Sequence, residues 1–200
     1  MLAATTQWRR GALGGAMKQV GVLLSAVALF GCRMACASPF GALMKSEAAL
    51  KKASSWHVVM QISGGNALTM DYSAPHRWRV VLAPDRTEVI IGNAVYMDTA
   101  GHVTQLPAAY AAPIARAVRI RKFDAPTLAQ VRRTARDLGA QTLDGKPVHV
   151  YRYVANGATD TWYIGSRDLP MRVVIQSDKG TQVVRYSRFN VPVSIQLPTG

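Results

Sequence analysis

The chain is short of cysteine, of acidic side chains and of long apolar runs. Its 200 residues include two cysteines, Cys32 and Cys36. That number excludes a disulfide scaffold and a four-cysteine zinc site. Acidic residues number 11 against 24 Lys plus Arg, giving a net charge of +13. Disorder is nevertheless excluded, because 49% of the residues are hydrophobic, and disordered chains join high charge to low apolar content. The apolar stretch VGVLLSAVALFG at 20–31 is twelve residues long. A helix needs about 20 apolar residues to span a bilayer, so this stretch is too short for a stable anchor.

That stretch instead fits a leader. Residues 1–37 carry Arg9, Arg10, Lys18 and Arg33 and no acidic residue. A positive flank, a short apolar run and then small residues read as a secretory signal peptide, starting at Met1 or at Met17. Ala35-Cys36-Ala37 before Ser38-Pro39 is an A-x-A cleavage site, and Leu29-Phe30-Gly31-Cys32 resembles a lipobox that would lipidate Cys32. The first scheme yields a soluble periplasmic domain over 38–200. The second yields a membrane-anchored lipoprotein. The A-x-A cut is favoured because lipidation at Cys32 would leave Cys36 as a free thiol in an oxidising compartment. Removing the four leader cations leaves 20 basic side chains against 11 acidic, a charge of +9.

Periodicity divides the rest. Residues 39–54 carry Leu43, Met44, Ala48 and Leu50 at helical spacing. From Trp56 the period becomes two, and Gly64-Gly65-Asn66, Ala83-Pro84-Asp85, Gly92-Asn93 and Ala100-Gly101 supply turns. Residues 107–138 break that rhythm. Thr127 to Leu138 reads as a helix, with Pro126 in its first turn and Gly139 as its stop. Residues 114–121 fit a helix or a strand. Strand rhythm then returns in Pro147–Ala155, Asp160–Gly165, Met171–Ser177, Gln182–Phe189 and Val193–Leu197. The expected fold is α+β: one strongly curved antiparallel sheet of about ten strands, an unclosed half-barrel covered by helices.

Five phrases carry a resemblance: APHRWRVV (74–81), IGNAVYMD (91–98), LDGKPVHVYRY (143–153), RDLPMRVVI (167–175) and FNVPVSIQLP (189–198). In their order and spacing they resemble the LolA-like superfamily of periplasmic lipoprotein and lipid carriers, including the LppX-type lipoproteins. The resemblance implies a hydrophobic half-barrel cavity that shelters acyl chains in transit, as in outer-membrane lipoprotein sorting. It also implies membrane-bound proteins that load and unload the cargo. Two features depart from the dedicated carrier. Ala74 stands where the carrier has an Arg before the strand-initiating Pro, and the chain stops just after IQLP. Both favour a sister lineage.

Alternation predicts the cavity-lining set: Trp56, Val58, Met60, Ile62, Leu68, Met70, Trp78, Val80, Met97, Trp162, Ile164, Met171 and Val173. Methionine suits surfaces that accept variable apolar ligands, although a set like this can equally fill an ordinary core. A one-residue slip would invert the faces. Cations crowd 116–136 as Arg116, Arg119, Arg121, Lys122, Arg132, Arg133 and Arg136, with Asp124 alone against them. Arg132, Arg133 and Arg136, together with Arg77 and Arg79, are candidates for contact with a lipid headgroup, an anionic membrane surface or a partner. A solvated helix face, and for Arg77 and Arg79 a cross-strand pair with Glu88, compete with that reading.

No recognised nucleic-acid motif is present. His57, His76, His102 and His149 are dispersed, without the convergence a metal needs. Asp71 near His76 could be imagined as an acid–base pair, but nothing places a nucleophile beside them. The sequence therefore predicts a monomeric, cofactor-free binding protein and not an enzyme. The alternative is an envelope protein-interaction or regulatory module on the same fold.

Overall fold

A computed structural model describes residues 38–65, 67–118 and 124–198, with side chains of the second stretch described up to Ile114. The leader, with both cleavage schemes and Cys32, lies outside the described residues. So do the side chains of Arg116, Arg119, Arg121 and Lys122.

The first helix, α1 (Pro39–Lys52), starts where its sequence says it should. The Ser38 hydroxyl accepts from the Gly41 N–H and Pro39 occupies the first turn, so both supply what a helix start lacks. Lys51 and Lys52 sit in the last turn, against the negative end of the helix dipole. Leu43, Ser46, Glu47 and Leu50 form its buried stripe.

Among the described residues eleven strands follow, one more than the approximate sequence count: β1 (Ser55–Ile62), β2 (Leu68–Ser73), β3 (Arg77–Ala83), β4 (Arg86–Ile91), β5 (Ala94–Thr99), β6 (His102–Gln105), β7 (Arg136–Leu143), β8 (Lys146–Ala155), β9 (Ala158–Ile164), β10 (Pro170–Ser177) and β11 (Gly180–Ser187). They make one antiparallel sheet in the order β6-β5-β4-β3-β2-β1-β11-β10-β9-β8-β7. Two meanders are thus joined where the first strand pairs with the last, His57 opposite Ser187 and Met60 opposite Val184. The sheet does not close, since β6 and β7 remain edges. Both edges are blunted. β6 is four residues long, and β7 carries a register shift between Asp137 and Gly139, a device that discourages edge-to-edge pairing.

Helices α2 (Ala108–Val118) and α3 (Ala125–Thr134) lie between the meanders in sequence. The Asp124 carboxylate caps α3 by accepting from the Thr127 N–H, and hydrogen bonds from the Thr127 side chain and backbone hold that carboxyl below its usual range. One sequence expectation is corrected here. The helix ends at Thr134, and Leu138 and Gly139 belong to β7. Thr134 explains the switch: its hydroxyl donates to the Val154 carbonyl and accepts from the Val154 N–H, tying the helix end to β8 and sending the chain along it. Gly139 has φ +84 within that bulged strand, so its helix-stop signature belongs to a bulge. The segment Val193–Leu197 is also not a strand. It is extended chain lying over the sheet, with Ile195 3% exposed.

Candidate functional site

Pairing sets which side chains share a face. Trp56, Tyr72, Trp78, Ile90 and Val95 stand directly opposite one another across β1 to β5. Val58, Met70, Val80, Glu88 and Met97 form the next row. Met60 continues on the other side through Val184, Val173, Trp162 and Tyr151. These rows make the inner face. The predicted lining residues on regular strands, Ile62, Leu68 and Ile164 included, all fall on it.

The helices cover this face. Leu50 and Ala53 at the end of α1, and Ala111 and Ile114 of α2, join the cluster built on Trp56, Val58, Trp78, Val80, Ile90, Val95, Val173 and Val184. Leu43 of α1 and Val131 of α3 join a second cluster with Tyr151, Tyr153, Ala155 and Ile164. Complete burial of one such side chain stabilises by about 1.5–3 kcal/mol, so these clusters hold the sheet and its helices together.

Burial falls along the strands. Trp56, Val58, Trp78 and Val80 are 3–5% exposed. Met60, Ile62, Leu68, Met70, Leu82 and Ile175, toward the ends carrying the 63–65, 84–85 and 178–179 turns, are only half-buried, whereas Tyr153 and Ala155 beside the 156–157 turn are covered in the cluster with Val131 of α3. Apolar side chains therefore line an incompletely covered end of the inner face. Leu82 and Ile175 lie there, while Tyr72, Tyr186 and Phe189 pack at the opposite, Trp56 end of the same cluster; none of the five was in the predicted set. The same alternation carries the first four, while Phe189 lies just beyond β11.

Polar groups on this face are few and strained electrostatically. The Tyr153 hydroxyl donates to Asp160 Oδ2 at 2.6 Å. Burial raises the Asp160 carboxyl above its usual range, with the Tyr153 hydrogen bond pulling the other way. Burial likewise raises Glu88 and pushes the Tyr186 hydroxyl up to about 12. Glu47 of α1 pairs with Lys51. The indole N–H groups of Trp56 and Trp78 are buried without an acceptor among the described residues.

The outer face is of a different kind. Asp71 accepts from Arg79 at 2.6 Å and pairs with His57 Nδ1 at 2.7 Å. Burial alone would raise the Asp71 carboxyl, but the His57 and Arg79 hydrogen bonds outweigh it and hold it below its usual range. The imagined Asp71–His76 pair is therefore replaced by Asp71–His57, and His76 instead stacks near Trp78. Nor does Glu88 pair with Arg77 or Arg79, because it sits on the inner face opposite Val80. Arg77 donates to the Ile195 carbonyl, and the Asn190 N–H donates to the Ser55 carbonyl, so residues 188–197 strap this face.

The remaining candidates disperse. The Arg132 guanidinium lies 4.8 Å from the Phe40 ring centroid. Arg136 donates to the Arg133 and Ala135 carbonyls, while Arg133 is exposed. Met171 lies at the irregularity between β9 and β10 and borders an outer cleft with Arg172 and Arg185. Among the described residues no group of His, Cys, Asp or Glu is placed to hold a metal, and no helix is long and apolar enough to cross a membrane.

No protein-family model matches the chain, and no curated protein matches it. Solved structures do. The Mycobacterium tuberculosis lipoprotein LppX is 15% identical, with a TM-score of 0.61 over 79% of this chain and 98% of that one. LprF from Mycobacterium bovis is 17% identical, with a TM-score of 0.59 over 81% of this chain and 97% of that one. At such identities the likeness establishes a shared fold.

Proposed function

From the LolA/LppX-like fold of this chain, we propose that it is an envelope carrier that binds the acyl chains of a lipid or lipoprotein on its inner face. The observation that carries this is the half-buried, methionine-rich end of an otherwise buried apolar surface: Met60, Leu68 and Met70 beside Leu82 and Ile175. Contiguous apolar surface left incompletely covered marks a binding region. Methionine adapts to irregular chains, and each methylene taken from water contributes about 0.8 kcal/mol. Binding of this kind needs no covalent step and no cofactor.

In this reading α1 and α2 act as the lid, residues 1–37 as the export leader, and a membrane-bound donor and acceptor as partners. Arg133, exposed at the end of α3, is available to an anionic headgroup or a partner. The test is organic extraction of the chain, expressed with its leader and purified as the cell processes it, followed by mass spectrometry. Co-purifying acyl lipid is expected, and Met60→Asp should abolish it while leaving the protein secreted and folded. Lipid-free protein that instead captures another envelope protein would overturn the carrier reading in favour of a regulatory module.

A further inference from the structure

The outer face carries a second feature, unrelated to the acyl-chain surface. Pairing aligns Tyr163, Arg172, Arg185 and Val59 in one row across β9, β10, β11 and β1. Arg172 and Arg185 are therefore directly opposed on neighbouring strands. Like charges in that relation are destabilising, and neither has an acidic partner among the described residues. Arg172 is held in place from one side: its guanidinium lies 4.2 Å from the Tyr163 ring centroid. Its Nε–H is buried and meets no acceptor. Both arginines border a cleft of about 290 Å³ shared with Ser187, with Asp144 of the β7–β8 turn and with Lys146 at the start of β8. Three cations thus surround one volume, with one carboxylate against them.

We propose that this cleft binds a phosphate group. Two opposed guanidinium groups can each offer paired N–H donors, and that geometry suits an oxyanion. A carboxylate has two oxygens in one plane, which a single arginine satisfies. A tetrahedral phosphate has oxygens enough for both arginines and for Lys146. Its charge would also remove the Arg172–Arg185 repulsion and give the buried Nε–H an acceptor. The phosphate could be free in solution or carried by a lipid headgroup, and the chemistry at the cleft is the same.

The test uses the chain purified as the cell processes it, at constant ionic strength so that screening does not vary. Inorganic phosphate is titrated by calorimetry. In parallel, co-sedimentation is measured with phosphatidylglycerol vesicles and with phosphate-free digalactosyl-diacylglycerol vesicles. Saturable phosphate binding is expected, weakened about ten-fold or more in Arg185→Gln and less in Lys146→Gln. Arg185 is exposed, so the variant should fold, and without phosphate its melting temperature should not fall, because a repulsion has been removed. Arg185-dependent binding to phosphatidylglycerol vesicles, with none to free phosphate, would support the same site with a lipid as the source. The proposal is overturned if neither probe binds, if Arg185→Gln binds as the wild type does, or if the phosphate-free vesicles bind equally well.

Discussion

The two faces of the sheet are made by the same strands, one residue out of step, and they are stabilised by opposite means. On β3, Trp78 and Val80 point inward and are almost completely buried, whereas Arg77 and Arg79 point outward and are exposed. The inner face relies on apolar area covered by helices. The outer face relies on directed polar contacts, such as Asp71 between His57 and Arg79 and the Arg77 bond to the strap. Apolar cohesion has no direction and tolerates a ligand in place of a neighbour. Directed bonds fix one arrangement. Period-two alternation lets one strand provide both properties, each on its own side.

Neighbouring substitutions would sharpen or break this contrast. Trp78→Ala should cost about 3–5 kcal/mol, while Arg79→Ala, one residue along, should cost about 1 kcal/mol or less because the Arg79 side chain is exposed and His57 still pairs with Asp71. Urea denaturation of the two variants checks the ratio, and equal losses would break the contrast. A middling effect is expected at Asp71. Replacing it with Asn removes charge-assisted bonds and should cost about 1–3 kcal/mol at neutral pH. Because its carboxyl is held low in the folded state, that contribution is complete above the ordinary carboxylate range and is lost as pH falls through the lowered value. The advantage of wild type over Asp71→Asn in a urea midpoint series should shrink on acidification.

The smallest effect is expected at Asp160, and with the opposite sign. Its carboxyl is raised by burial, so at neutral pH its charge works against folding. That penalty is relieved as pH falls through the raised value. Asp160→Asn keeps an acceptor for Tyr153 and should change stability by less than about 1 kcal/mol at neutral pH. The same midpoint series should show the wild type gaining on this variant as pH falls.

Much of this contrast was legible in the sequence. Trp56, Val58, Met60 and Ile62 alternate with His57, Val59 and Gln61, and the structure places the two sets on opposite faces. Asp144-Gly145 and Asn156-Gly157 announced hairpins, and all four residues have positive φ, as a two-residue turn of that type requires. The end of α3 was not legible, because Ala135 and Leu138 continue an apolar helical spacing, and the tie from Thr134 to Val154 is a tertiary contact. Nor was the strap: Val193 and Ile195 alternate like a strand, but no neighbouring strand is paired with them. The opposition of Arg172 and Arg185 depends on register across a hairpin, which periodicity does not set.

The pairing of β1 with β11 has a consequence in time. Each meander is built from neighbours in sequence, yet the central seam joins residues far apart in the chain, such as Met60 and Val184. Long-range closure of this kind slows folding. A polypeptide delivered N-terminus first holds Met60 and Val58 without their β11 partners until Val184 and Tyr186 arrive. The central seam of the core cannot be completed from a partial chain, so the two meanders lock together only once the last strand is present.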